Sequence, residues 1–151
     1  MTLRSRTAIL ALVASFGVLA ATSQAQKPSA TRVPATAQNA SAEYQTGIAQ
    51  LRIAKGYLEK AGDKWGGYRV KGIASIDQAF KAMGVSPEST PAEMESGNID
   101  EPTMLNKGIA SLQNARGNLA RAGKAKGVQF IDQALQQLQE GINWAKQHKT
   151  Y

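Results

Sequence analysis

Most of one stretch of this chain is written twice. Gly47-Ile-Ala-Gln-Leu-Arg-Ile-Ala-Lys-Gly56, running on to Ile76-Asp-Gln-Ala79, returns as Gly108-Ile-Ala-Ser-Leu-Gln-Asn-Ala-Arg-Gly117, running on to Ile131-Asp-Gln-Ala134. Self-similarity of this kind marks tandem supersecondary units, none of which can bury its apolar face alone. In the first copy Tyr44, Ile48, Leu51, Ala54 or Lys55, Leu58 and Ala61 recur at steps of three and four. A second stripe there runs from Arg69 or Gly72 through Ile73, Ile76 and Phe80 to Met83. The second copy repeats the pattern with Leu105, Ile109, Leu112, Ala115, Leu119 and Ala122, then Val128, Ile131, Leu135, Leu138, Ile142 and Ala145. Every stripe has the helical period and none alternates as a strand would. The expected fold is all-α, an antiparallel four-helix bundle built from two tandem helical hairpins.

Capping signals set the boundaries. Gly62, Gly84 and Gly123 supply the left-handed residue that ends helices, and Asp100 ahead of Pro102 is a good cap. The expected helices span about 41–61, 67 or 68 to 83, 102–123 and 128–148. The first hairpin is then 41–84, the second 102–148, and 85–101 links them. Within that linker Thr90-Pro-Ala-Glu93 predicts one helical turn over 91–96. Ala54 with Ala115, and Ala61 with Ala122, narrow the helices for close approach. Gly47, Gly56, Gly108 and Gly117 each cost about 1 kcal/mol against Ala in a helix interior. Matched in both copies, they mark either tight crossings or plain descent from one duplicated ancestor.

The chain begins with Arg4 and Arg6, an apolar run from 7 to 21, and Ser23-Gln24-Ala25. That is the three-part pattern of a secretory signal, cut after Ala25, and its apolar run is short of the roughly 20 residues a spanning helix needs. Residues 26–40 are small, polar and Pro-containing, which reads as a flexible leader. With Arg4 and Arg6 removed, 16 basic residues face 11 acidic, a net charge of +5. That balance suits anionic envelope polymers and falls short of a nucleic-acid footprint. There is no cysteine, which excludes a disulfide scaffold, a c-type haem attachment and a thiolate zinc site. The expected setting is periplasmic or secreted.

The two copies differ in one place. Thirteen residues separate Gly62 from Ile76, whereas seven separate Gly123 from Ile131. The surplus falls in Asp63-Lys-Trp-Gly-Gly-Tyr-Arg-Val-Lys71, and the second hairpin closes without it. Lys64, Trp65, Gly66, Gly67, Tyr68, Arg69 and Lys71 are therefore the candidate ligand-binding residues. Two aromatics among three bases suit a sugar or flat ring bearing an anionic group. The competing expectation is that Trp65 and Tyr68 fold back to lid the core, with Gly66-Gly67 supplying the turn.

Leu51, Ala54, Leu58 and Ala61, then Trp65-Gly66-Gly67-Tyr68-Arg69, then Ile76 and Ala79, form a pattern of their own. It resembles small exported bacterial proteins of helical-hairpin repeat type, of uncharacterised role. The resemblance spans about 44–83 and more weakly 105–142, and implies no activity. Tyr68 stands where that pattern more often has His, so no metal or acid–base role is implied there.

Other chemistry is sparse. His148 is the only histidine; with Met104 or Met83 it is the one conceivable axial pair for a haem or other cofactor carried in the bundle core. Asp77 and Asp132, at matched places in the copies, are either a carboxylate pair or boundary acids bridging to Lys55, Lys81 or Arg116. No phosphate loop, nucleophile elbow or zinc helix is present. The sequence thus favours a non-enzymatic binding or structural module without cofactor or metal, with an anionic envelope polymer such as a glycan, or a protein, as partner; the alternative is a small enzyme or cofactor carrier built in the bundle core.

Overall fold

The computed structural model describes residues 35–90 and 99–149. The signal segment, the leader up to residue 34 and the turn anticipated over 91–96 lie outside them. Four helices follow in order: α1 (Ala35–Lys60), α2 (Tyr68–Ala82), α3 (Glu101–Arg121) and α4 (Ala125–Gln147). α1 starts at Ala35, six residues before the expected helix start at 41. Ala35, Ala37, Ala40 and Ala42 explain it, since alanine favours the helix without any apolar stripe to bury, and 36–39 are exposed. α4 likewise starts at Ala125, ahead of the apolar Val128.

The ends are closed by backbone chemistry. Asp100 accepts a hydrogen bond from the Thr103 amide at 3.2 Å, capping α3. At the end of α2 the Val85 amide donates to Phe80 O and Gly84 to Lys81 O, with Gly84 at φ 69. At the end of α3 the Lys124 amide donates to Leu119 O and Gly123 to Ala120 O, with Gly123 at φ 71. Both are Schellman closures, which need a left-handed residue that glycine adopts without strain.

Packing runs mainly between the repeats. α1 lies chiefly on α3 and α2 chiefly on α4, while the two helices of the first hairpin touch least. A Cβ on Gly47 would stand 2.7 Å from Leu119 Cγ, and one on Gly108 would stand 2.9 Å from Leu58 Cδ2. In the duplicated frame these are one contact made twice, because Gly47 corresponds to Gly108 and Leu58 to Leu119. α2 and α4 do the same: Gly72 receives Leu138, and Gly127 receives Met83. These contacts set α1 antiparallel to α3 and α2 antiparallel to α4. Tyr44 Oη lies 3.5 Å from Met83 O, which places the start of α1 beside the end of α2. The order is therefore up, down, down, up, with a long crossover between α2 and α3 and an approximate two-fold axis between the hairpins.

Of the four glycines singled out in the repeats, Gly47 and Gly108 sit at crossings. Gly117 does not, its nearest neighbour being the Arg121 guanidinium at 3.6 Å. The core is Ile48, Leu51, Ala54, Leu58, Ile76, Ala79, Phe80, Leu105, Leu112, Ala115, Leu119, Ile131, Ala134 and Leu138, joined by Ala61, Trp65, Ile142 and Ala145 at one end.

The ion pairs are duplicated too. Lys55 Nζ donates to Asp77 Oδ1 at 2.7 Å, and the equivalent Arg116 is bonded to Asp132. Each acid thus bridges within its own hairpin, and the carboxylate-pair alternative loses its two free acids. Asp132 raises the Arg116 guanidinium above its ordinary value, first by the hydrogen bond and then by charge attraction. Only Lys55 is buried, because the crossover runs over it. Its ammonium also donates to Pro87 O at 2.7 Å, and the Thr90 amide reaches Arg52 O at 3.3 Å.

Gly108→Ala is expected to cost about 1–3 kcal/mol by overpacking against Leu58, whereas Gly117→Ala should gain up to about 1 kcal/mol from helix propensity. Urea unfolding of the two variants measures the contrast. Lys55→Ala should lower stability by about 1–2 kcal/mol through its lost hydrogen bonds and buried stem, while Arg116→Ala, at the equivalent exposed place, should change the urea midpoint little.

Candidate functional site

The surplus residues of the first repeat fill the turn between α1 and α2. Gly62, Gly66 and Gly67 all have positive φ, so the turn folds tightly enough to bring Trp65 inward. The indole is buried at 2% exposure, and its Nε1 donates to Ala61 O at 2.8 Å. Of the two roles open to Trp65, the side chain takes the lid: no ring face is available to a ligand. It closes the end of the core where Ala61 and Ala145 also lie.

Arg69 is committed to the same closure. Its Nη1 donates to Leu58 O at 2.9 Å and to Glu59 O at 3.3 Å, and its Nη2 pairs with Asp63. Leu58 and Glu59 correspond to Leu119 and Ala120, whose carbonyls the backbone amides of Lys124 and Gly123 satisfy in the second repeat. A guanidinium thus does in α1 what a Schellman turn does in α3, and a cation at the negative end of a helix gains from the dipole. Arg69 is consequently a cap rather than a free anion receptor.

The turn seats on α4. A Cβ on Gly141 would stand 3.0 Å from Tyr68 Cβ and 3.4 Å from Trp65 O. A Cβ on Gly66 would meet the Trp144 ring at 2.5 Å. Trp144 in turn stacks on His148, ring centroids 4.2 Å apart, and His148 Nδ1 lies 2.8 Å from Trp144 O. His148 therefore finishes α4 beside the plug. Met83 lies against Gly127 at the start of α4, about 30 Å away along the helix. One haem cannot bridge those two, whereas Met104, half-buried in the first turn of α3 beside the Glu101 that meets Gly62, shares the plug end with His148; among the described residues no group of His and acidic side chains has metal-site spacing.

The remaining candidates form an exposed rim around the plug. The Lys64 side chain is 63% exposed, with its ammonium 3.5 Å from Glu101 at the start of α3. Lys71 Nζ lies 4.8 Å from the centre of the half-buried Tyr68 ring. Gly67 is exposed and caps α2 at φ 80. Val70, not among the sequence candidates, is 58% exposed between them, the one large apolar side chain so placed among the described residues. Its signal was its position, one step outside the Gly72–Ile76 stripe.

Comparison with protein-family models, with curated proteins and with solved structures gave no match.

Trp65→Ala is expected to lower unfolding free energy by about 3–5 kcal/mol, and Trp65→Phe by about 1 kcal/mol for the lost Nε1 hydrogen bond beyond any change in packing. Thermal and urea denaturation followed by circular dichroism distinguish the two.

Proposed function

We propose that this chain is an exported, non-enzymatic helical module of the cell envelope that binds an anionic polymer through the rim beside its Trp65 plug. The signal-like start and the net charge of +5 on the remainder support the setting. The observation that carries the reading is the composition of the interior. Every buried side chain described is apolar except Lys55, whose ammonium is engaged by Asp77 and Pro87 O. Leu51, Phe80, Leu112 and Ile131 are all fully buried within that interior, a continuous apolar core that supports a module over a cofactor carrier. Chemistry is left to the surface. There, Lys64 and Lys71 offer ammonium donors for carboxylate or phosphate groups, and Tyr68 and Val70 offer apolar contact beside them.

Co-sedimentation with an acidic envelope polysaccharide, against a neutral one, tests the reading. Binding is expected to weaken about tenfold between low and physiological salt, as screening of exposed charge requires. Lys64→Gln with Lys71→Gln should weaken it by a further tenfold or more, about 1.4 kcal/mol, while the melting temperature changes little, since the exposed Lys64–Glu101 pair carries little stability. Equal retention of wild type and double variant would move the function away from the rim; a salt-independent interaction with a protein instead would replace the anionic polymer as partner.

A further inference from the structure

The outer side of α2 carries two adjoining hollows, away from the Trp65 plug and its rim. One, of about 350 Å³, is walled by Val85 and Pro87 against Asp77, Gln78 and Lys81. The other, of about 380 Å³, lies across the same Gln78 and Lys81, with Ala82 and the α4 residue Phe130 closing it. Both volumes fall at the lower end of small-molecule sites, which are mostly apolar with a few placed polar groups. The fold does not demand them. In the second repeat Glu140 and Ile142 stand at the places matching Val85 and Pro87, and both lie inside α4, so no returning segment flanks that helix.

The wall of the first hollow is held in place from beneath. α2 ends at Ala82, Gly84 takes the left-handed turn and the Val85 amide donates to Phe80 O, which brings the chain back beside α2. Lys55 then fixes the returning segment. Its ammonium donates to Pro87 O and to Asp77 Oδ1, both at 2.7 Å, so one buried cation sets the spacing between strap and helix. The same bond engages the Asp77 carboxylate. Lys81 is placed differently: it is exposed, it lines both hollows, and no acid among the described residues forms an ion pair with it. Lys124 and Lys126 face Ala82 from the start of α4, which adds positive charge to that end of the groove. Glu88, next to Pro87, lines neither hollow.

We propose that these hollows bind a free single-chain anionic amphiphile of fatty-acid type. Its acyl chain lies against Val85, Pro87 and Phe130, and its carboxylate meets the Lys81 ammonium. The apolar walls select a hydrocarbon, and the cation between them selects an anionic head group over a neutral one, since a hydrogen bond between charged partners is the stronger kind. A bilayer offers the same chemistry in the wrong shape. The apolar surface here is concave, and Val70 is the one large apolar side chain exposed among the described residues, so a flat membrane finds little to receive. Lys55 touches no part of the ligand and is a positioning residue for the wall. The site is separate from the Lys64–Lys71 rim, and the inference does not depend on what the rim binds.

Titration of the chain with octanoate, octanol and butanoate, followed by two-dimensional amide NMR, tests the site. Octanoate is expected to give saturable shifts centred on Gln78, Lys81, Val85 and Phe130. Each methylene that enters a hollow tightens binding by up to about fourfold, so butanoate should bind at least about tenfold more weakly than octanoate. Lys81→Gln should bring octanoate down to the level of octanol. Gln78→Trp, which fills the hollows from an exposed position on α2, should abolish binding of both, and each variant should melt close to the wild type. An excess of acidic polysaccharide should leave octanoate in place, so that this site and the rim stand or fall separately. Shifts that do not saturate, equal affinity for octanoate and butanoate, a Lys81→Gln chain that binds octanoate as the wild type does, or displacement by the polysaccharide overturns the proposal. So does attachment to phosphatidylglycerol vesicles by a chain that leaves free octanoate unbound.

Discussion

The fold depends on four places where a helix presents no side chain and a neighbour from the other repeat fills the gap. Gly47, Gly108, Gly72 and Gly127 let α1 approach α3 and α2 approach α4 closely enough for Leu119, Leu58, Leu138 and Met83 to seat against backbone. Each glycine is expensive within its own helix, at about 1 kcal/mol against alanine. The expense is offset only when both repeats are folded and together, because each knob belongs to the opposite repeat. That reciprocity makes the bundle cooperative and leaves a single hairpin with no reason to stand alone.

The two ends of the bundle show what one insertion accomplishes. Where α3 turns into α4, the backbone closes the helix with Gly123 and Lys124. Where α1 turns into α2, six further residues replace that closure with side chains. Arg69 takes the equivalent carbonyls, Trp65 takes Ala61 O and the end of the core, and Gly66 and Gly141 admit the turn against α4. The insertion is thus spent on structure in its inner half, while Asp63, Lys64, Gly67, Val70 and Lys71 make up its exposed outer edge.

The same asymmetry appears at the duplicated ion pairs. Lys55 and Arg116 hold the same place in the two copies, yet Lys55 is buried and Arg116 is exposed. The difference lies in the crossover, which brings Pro87 O over one hairpin and has no counterpart on the other. A short linear ammonium under a backbone strap and a forked guanidinium at the surface suit those two settings.

The period of the apolar residues and the doubling of the Gly47–Ala79 stretch were enough to determine four helices, two hairpins, the end glycines and the place of the insertion. All of these follow from local periodicity and capping, which a sequence states directly. Tertiary structure alone decided which helices pair, which repeat glycines are crossings, and where the side chains of the insertion point. Arg69 reaches a carbonyl eleven residues back, Lys55 is buried by a segment more than thirty residues on, and Gly117 differs from Gly108 only in what stands opposite. Such facts depend on distances through space between segments remote in the chain, and no local pattern encodes them.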